Sequence, residues 1–160
     1  MITLKDSIEI RTTPERSFKW FENIDKNFTK WHPNHKKFVK VTGNLNEGDI
    51  IYFEECIDGR WYKIKCKITE IEKGEWGWRV VFKSTHWLGG TLLNTRLIFL
   101  VERKKDTCVF SNIQTIGFNA PVIGKLIDLL ILKSFSTTIN LIKKDMEEDG
   151  KNLKKILERD

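Results

Sequence analysis

One dipeptide, Asp58-Gly59, constrains the fold of this chain more than any other stretch. Apolar and polar residues alternate on both sides of it. Asp-Gly is a preferred pair for the two-residue type I′ turn, whose twist matches that of the strands it joins. The pattern predicts a hairpin of Ile50 to Ile57 with Arg60 to Ile71, and the turn fixes its register. Ile57 then faces Arg60, Glu55 faces Tyr62, Phe53 faces Ile64 and Ile51 faces Cys66. The other set pairs Glu54 with Lys63, Tyr52 with Lys65 and Ile50 with Lys67. Paired residues share a face. The set with Ile51, Phe53, Ile64 and Cys66 is the inward one, and the lysines mark solvent. Glu54 is therefore a surface residue opposite a lysine, while Glu55 points inward beside Tyr62. An inward carboxylate is either hydrogen-bonded structure or a functional group. A one-residue bulge near the turn would exchange the two glutamates.

The last third, Pro121 to Leu157, reads as one long helix. Phe135, Ile139, Ile142, Met146, Leu153 and Ile156 recur on one face of a 3.6-period helix. That stripe calls for an apolar residue at position 149, where the chain carries Asp149, and Asp145 lies one turn earlier. Two carboxylates so spaced project from neighbouring turns of one face. A buried carboxylate needs a partner, a metal or water. The alternative is that the helix frays or turns outward here, because Gly150 follows and glycine weakens helix interiors. Val122 to Leu132 is apolar almost all round, which suits a homodimer contact or a membrane surface as well as a core.

The remaining elements follow in order. Thr3 to Arg11 alternates as a strand. Thr12 or Thr13 caps a short helix with Pro14 in its first turn. Asn23 to Asn34 reads as a connector, with or without another helical turn, and it holds Trp31-His32-Pro33-Asn34-His35, in which Pro33 disfavours helix at His32. Val39 and Val41 mark a second strand. Trp76 to Ser84, Thr91 to Glu102 and Thr107 to Gly117 read as three more.

Composition narrows the function classes. A chain of 160 residues favours one domain over 1–160, and 40% hydrophobic content supports a globular core. The net charge of +6 is spread over strand and helix faces. No helix-turn-helix, zinc-finger or RNP pattern accompanies it, so no nucleic-acid partner is expected. Cys56, Cys66 and Cys108 form no C-x-x-C pair and cannot all pair, which argues against a disulfide framework. No secretory leader precedes the first strand, and no run of about 18 uncharged apolar residues exists. The expectation is a cytoplasmic protein without a transmembrane segment. Gly89-Gly90 is isolated, so no phosphate-binding loop is expected, and no nucleophile elbow occurs.

The order is one strand, a helical insert, antiparallel strands and a long C-terminal helix. With Ser7-Ile8-Glu9-Ile10 leading into Thr13-Pro14-Glu15 and an aromatic helix, the chain resembles the START-like, or SRPBCC, superfamily. That helix-grip group includes polyketide cyclases, lipid-transfer domains and birch-pollen-allergen-like proteins. The resemblance implies an α+β fold in which a curved antiparallel sheet of about seven strands wraps the long C-terminal helix. It also implies a deep apolar cavity that binds, and in some relatives converts, a hydrophobic small molecule such as a polyketide, an aromatic compound or a lipid. Its walls would be Phe53, Glu55, Tyr62 and Ile64 on the hairpin, and Trp78, Val80 and Phe82 on the next strand. Phe135, Ile139 and Ile142 would face them from the helix.

A narrower resemblance accompanies it. Trp31-His32-Pro33-Asn34-His35, Glu54-Glu55 and Asp145-Met146-Glu147-Glu148-Asp149-Gly150 are similar to segments of the diacetylphloroglucinol hydrolase family. In that family a histidine ending a Trp-His-Pro segment, a strand glutamate and a helix His-x-x-x-Glu pair hold zinc. The resemblance puts His35, or else His32, at the first position, Glu55 at the second, and Asp145 and Asp149 at the helix pair. Aspartate thus replaces both the helix histidine and the helix glutamate. One histidine with three carboxylates still binds zinc but suits manganese, magnesium or iron(II) better. The other outcome is a hydrogen-bonded carboxylate cluster where relatives hold metal, with no cofactor. The implied chemistry is metal-dependent hydrolysis of a carbon–carbon bond in an acylated phenol or ketone, with His32 or Tyr62 assisting proton transfer.

Overall fold

The computed structural model describes residues 2–84, 93–118 and 136–159. Seven strands form one antiparallel sheet: β1 (Ile2–Ile10), β2 (His35–Lys40), β3 (Ile50–Ile57), β4 (Arg60–Gly74), β5 (Gly77–Ser84), β6 (Leu93–Arg103) and β7 (Cys108–Phe118). Their order is β1-β7-β6-β5-β4-β3-β2, so the chain's first strand pairs with its last. Two short helices, α1 (Pro14–Glu22) and α2 (Ile24–Trp31), sit between β1 and β2, and α3 (Ser136–Leu157) lies across β1. This is the α+β arrangement expected, a curved sheet gripping a C-terminal helix.

The hairpin forms as its turn dictates. Asp58 and Gly59 have φ of 50° and 74°, the two positive values a type I′ turn requires. Glu55 pairs with Tyr62, Phe53 with Ile64, and Glu54 with Lys63. On the outer face the Tyr52 hydroxyl donates to Glu54 Oε1 at 2.6 Å. Thr13 is the N-cap of α1, its Oγ1 accepting from the Arg16 amide at 3.3 Å, with Pro14 in the first turn.

The predicted connector 23–34 is largely helical. Ile24, Phe28 and Trp31 recur at helical spacing and are the buried face of α2. The helix stops at Trp31, and His32, preceding Pro33, turns extended with φ −144° and ψ 143°.

The chain neither frays nor turns outward at Gly150. Helix α3 continues through it, and Asp145, Met146, Asp149, Gly150, Leu153 and Leu157 are its buried residues. The stripe therefore ends on Leu157 rather than Ile156. A Cβ at position 150 would lie 3.1 Å from Asp6 Oδ2 and 3.3 Å from Ile8 Cγ2. Glycine here serves the close approach of α3 to β1, and that approach turns both aspartates inward. No helix among the described residues is long and apolar enough to cross a membrane. Val122 to Leu132 and Phe135 lie outside the described residues.

Candidate functional site

Between the sheet and α3 lies a cavity of about 110 Å³. Phe28, Phe38, Phe53, Phe82, Leu97 and Phe99 supply much of its apolar wall, and His35, Glu55, Asp145 and Asp149 gather in the same lining. The four residues expected from the sequence to hold a metal are thus brought together.

His35 reaches the cavity through a β-bulge. The β2–β3 register slips between His35 and Lys37, so that His35 opposes Glu55 while Phe38 opposes Phe53. Without the extra residue, His35 and Phe38 would face opposite sides of the sheet. The ring stacks on Phe28, centroids 4.0 Å apart and planes 4° apart. His35 Nδ1 donates to the Phe28 carbonyl at 3.1 Å. A carbonyl only accepts, so this bond fixes the tautomer and turns the Nε2 lone pair to the carboxylates.

His35 Nε2 lies 3.3 Å from Asp149 Oδ1 and 3.6 Å from Glu55 Oε1. The 3.3 Å contact is not aligned as a hydrogen bond. Both His35 Nε2 and Asp149 Oδ1 are buried without a hydrogen-bond partner among the described residues. Buried polar atoms are rarely left so, and such a pair is open to an ion, a ligand or a water. Asp149 is itself held firmly, because Trp31 Nε1–H donates to its backbone carbonyl at 2.9 Å.

The charges press on one another. Burial pushes the Glu55 carboxyl up to about 7, the Asp149 and Asp145 charges adding and His35 opposing. Burial likewise raises Asp145, with Asp149 adding and the Asn34 hydrogen bond opposing. For His35, burial disfavours the charged form, but Asp149, Glu55 and the Phe28 carbonyl outweigh it and raise the pKa above 6.5. All three shifts have the same sense: the cluster holds protons more tightly than the free groups do.

His32 plays a different part. It is buried, its Nδ1 accepts from the Asn34 amide at 3.0 Å, and its Nε2 contacts Glu148 Oε2 at 3.2 Å. The Asn34 side chain in turn donates to Asp145 Oδ1 at 2.6 Å. His32, His35 and Asp149 offer ligand atoms within 4.8 Å of one another. Both nitrogens of His32 are nonetheless engaged, and it is absent from the cavity wall. Tyr62 lines the cavity across from Glu55.

Among the expected wall residues, Phe53, Glu55, Tyr62, Ile64, Phe82 and Ile142 line the cavity. Trp78 and Val80 do not. Trp78 stacks on Phe21 at 5.2 Å, meets Phe18 edge-on, and donates from Nε1 to Ser17 Oγ at 2.8 Å. Helix α1 covers that end of β5, so Trp78 and the fully buried Val80 are filled core. Ile139 is half-buried on α3 and outside the described lining. Phe28, Trp31, Asn34 and Asn112 were not anticipated as site residues. The apolar periodicity of α2 was the available signal for the first two. Asn112 lines the cavity with its Oδ1 buried and unpartnered among the described residues.

No protein-family model matches the chain, and no curated protein matches it. Solved structures do. A START superfamily protein from Mycobacterium smegmatis matches with TM-score 0.56 and 11% identity, over 91% of this chain and 97% of that one. The fold is the START-like helix-grip fold. The di-domain ARO/CYC BexL from the BE-7585A biosynthetic pathway matches with TM-score 0.72 and 12% identity, over 99% of this chain and 50% of that one. Norcoclaurine synthase from Thalictrum flavum, solved with dopamine and hydroxybenzaldehyde, matches with TM-score 0.57 and 14% identity, over 89% and 84%. Within this helix-grip frame the cavity occupies the space between sheet and C-terminal helix.

Proposed function

We propose that this START-like protein binds a single-ring aromatic molecule with hydroxyl and carbonyl groups in the cavity between sheet and α3. The observation that carries the reading is an aromatic-walled cavity whose buried polar groups sit at defined points and lack partners. An apolar cavity of about 150 Å³ holds benzene, so about 110 Å³ suits one ring better than a fused polyketide or a lipid chain. Asn112 Oδ1 offers an acceptor to a ligand hydroxyl, and the His35–Glu55 end takes the more polar edge. The one-ring aromatic ligands of norcoclaurine synthase, dopamine and hydroxybenzaldehyde, agree with this class. The test is calorimetric titration with a dihydroxyacetophenone, on the parent chain and on Ile64→Trp, which fills the cavity. Saturable binding, weakened at least about tenfold in a variant that melts normally, is expected. If the parent chain binds no one-ring phenolic ketone, the reading is wrong.

A second reading, metal-dependent hydrolysis of a carbon–carbon bond in such a ketone, is favoured by one observation. Two donors at about 2.1 Å from one zinc ion in a tetrahedron lie roughly 3.4 Å apart. The 3.3 and 3.6 Å separations at His35 Nε2, and the absence of partners on it and on Asp149 Oδ1, fit that requirement. His35, Glu55, Asp145 and Asp149 would hold the ion. When bound it would supply Lewis acidity and a water of lowered pKa. Tyr62, opposite Glu55, would offer a hydroxyl donor for proton transfer. Elemental analysis of tag-free, chelator-free protein tests the reading. Near-stoichiometric metal, lost in Asp149→Ala, is expected, and protein that takes up neither zinc nor manganese ends it.

A further inference from the structure

Metal sites choose among ions by donor type and by which neighbouring groups are already committed. We propose that this cluster is built for a hard, oxygen-preferring divalent cation, represented by manganese(II), and that Asn34 positions Asp145 for it. The inference rests on the metal reading of the preceding subsection and goes beyond it in naming the ion class and a positioning residue.

The donor count carries the first half. Among the described residues, His35 Nε2 is the only imidazole nitrogen with a lone pair free to face the cluster. His32 is near enough to contribute a second, but its Nδ1 lone pair is taken by the Asn34 amide at 3.0 Å. The ring proton then sits on Nε2, which faces Glu148 Oε2 at 3.2 Å. Glu148 and the Asn34 backbone together keep this histidine out of the donor set. What remains is one nitrogen and the carboxylates of Glu55, Asp145 and Asp149. Carboxylate-rich sets suit manganese and magnesium, whereas zinc gains most from imidazole and thiolate.

The second half lies in the Asn34 side chain. It donates to Asp145 Oδ1 at 2.6 Å and so occupies one of the two carboxylate oxygens. Asp145 is part of the cavity wall, and that bond leaves its second oxygen uncommitted to Asn34. A hydrogen-bonded carboxylate also keeps its orientation when the ion leaves.

Zinc outranks manganese at almost any fixed site, so the decisive quantity is the ratio of their affinities. Calorimetry and manganese electron paramagnetic resonance would be run on the parent chain and on Asp145→His, Glu55→His and Asn34→Ala. Two histidine swaps are included so that the result does not hang on the folding of one. The expected result is that either swap raises the zinc-to-manganese ratio by at least about tenfold. Asn34→Ala should weaken manganese about 10-fold, the size of a lost supporting contact, with the thermal midpoint held. A ratio unchanged in both swaps overturns the ion preference, as does a parent chain that binds zinc alone. Undiminished manganese affinity in Asn34→Ala overturns the positioning role. A parent chain that takes up neither ion overturns this proposal and the metal reading together, and leaves the ligand-binding reading standing.

Discussion

The two ends of the cavity are built on opposite terms. At one end Phe82, Phe99 and Phe53 are buried, with Phe82 and Phe99 meeting edge-on at 5.7 Å, and the rings themselves need no hydrogen-bond partner. At the other end three carboxylates and a histidine are crowded together, and two of their buried atoms have none among the described residues. The aromatic end lowers the free energy of folding. The polar end raises it, since burying charge without full pairing is unfavourable. A chain that keeps such a cluster in its core is therefore retaining it for something other than stability.

The widest separation between the two ends should come from truncation. Phe82 is 1% exposed, and Phe82→Ala should destabilise by about 3–5 kcal/mol. Asp149 is similarly buried, yet Asp149→Ala in metal-free protein should change stability by less than about 1 kcal/mol or raise it. Urea denaturation of both variants checks the contrast. A large loss in Asp149→Ala would mean that the cluster is a structural network and would erase the distinction.

A pH series sharpens the same contrast. Glu55 titrates near 7 in the fold against 4.5 for the free group, so the folded state holds its proton more tightly. Its contribution is present below about pH 4.5 and is lost as pH rises through about 7. His35, also raised, stabilises below its free value of 6.5 and loses that effect as pH rises through its folded pKa. Both signs agree: chelator-treated protein should lose stability between about pH 5 and pH 8, by up to roughly 3 kcal/mol for Glu55. Glu55→Gln should flatten the profile. A profile already flat in the parent chain would show that the cluster is solvated rather than buried.

How legible each end was depends on how locally it is determined. Glu55 was readable because Asp58-Gly59 fixes the hairpin register within a few residues. Asp145 and Asp149 were readable because they break a helical stripe. The direction of His35 was not, since it depends on a bulge between His35 and Lys37 that carries no turn residue to announce it. Gly150 read two ways until β1 was known to lie against it. Alternation put Trp78, Val80 and Phe82 on one face, but only the packing of α1 decides that Trp78 is covered and Phe82 lines a cavity. The Asn34–Asp145 bond joins residues 111 positions apart and could be found only in the fold.

Trp31 belongs to both ends, and its substitution should cost less stability than Phe82→Ala or the pH rise. Its ring meets Phe99 at 5.6 Å and Phe110 at 6.1 Å, while its Nε1–H holds the Asp149 carbonyl at 2.9 Å. Trp31→Phe keeps an aromatic ring and deletes the bond, so about 1–2 kcal/mol of stability should go, part of it from the smaller ring. If that bond also orients Asp149, manganese affinity should fall with it while ligand binding at the aromatic end is spared. Calorimetry with each probe separates the two. Equal losses in both would mean that Trp31 acts only through packing, and that the polar end is positioned by α3 and its approach to β1 rather than by the α2 contact.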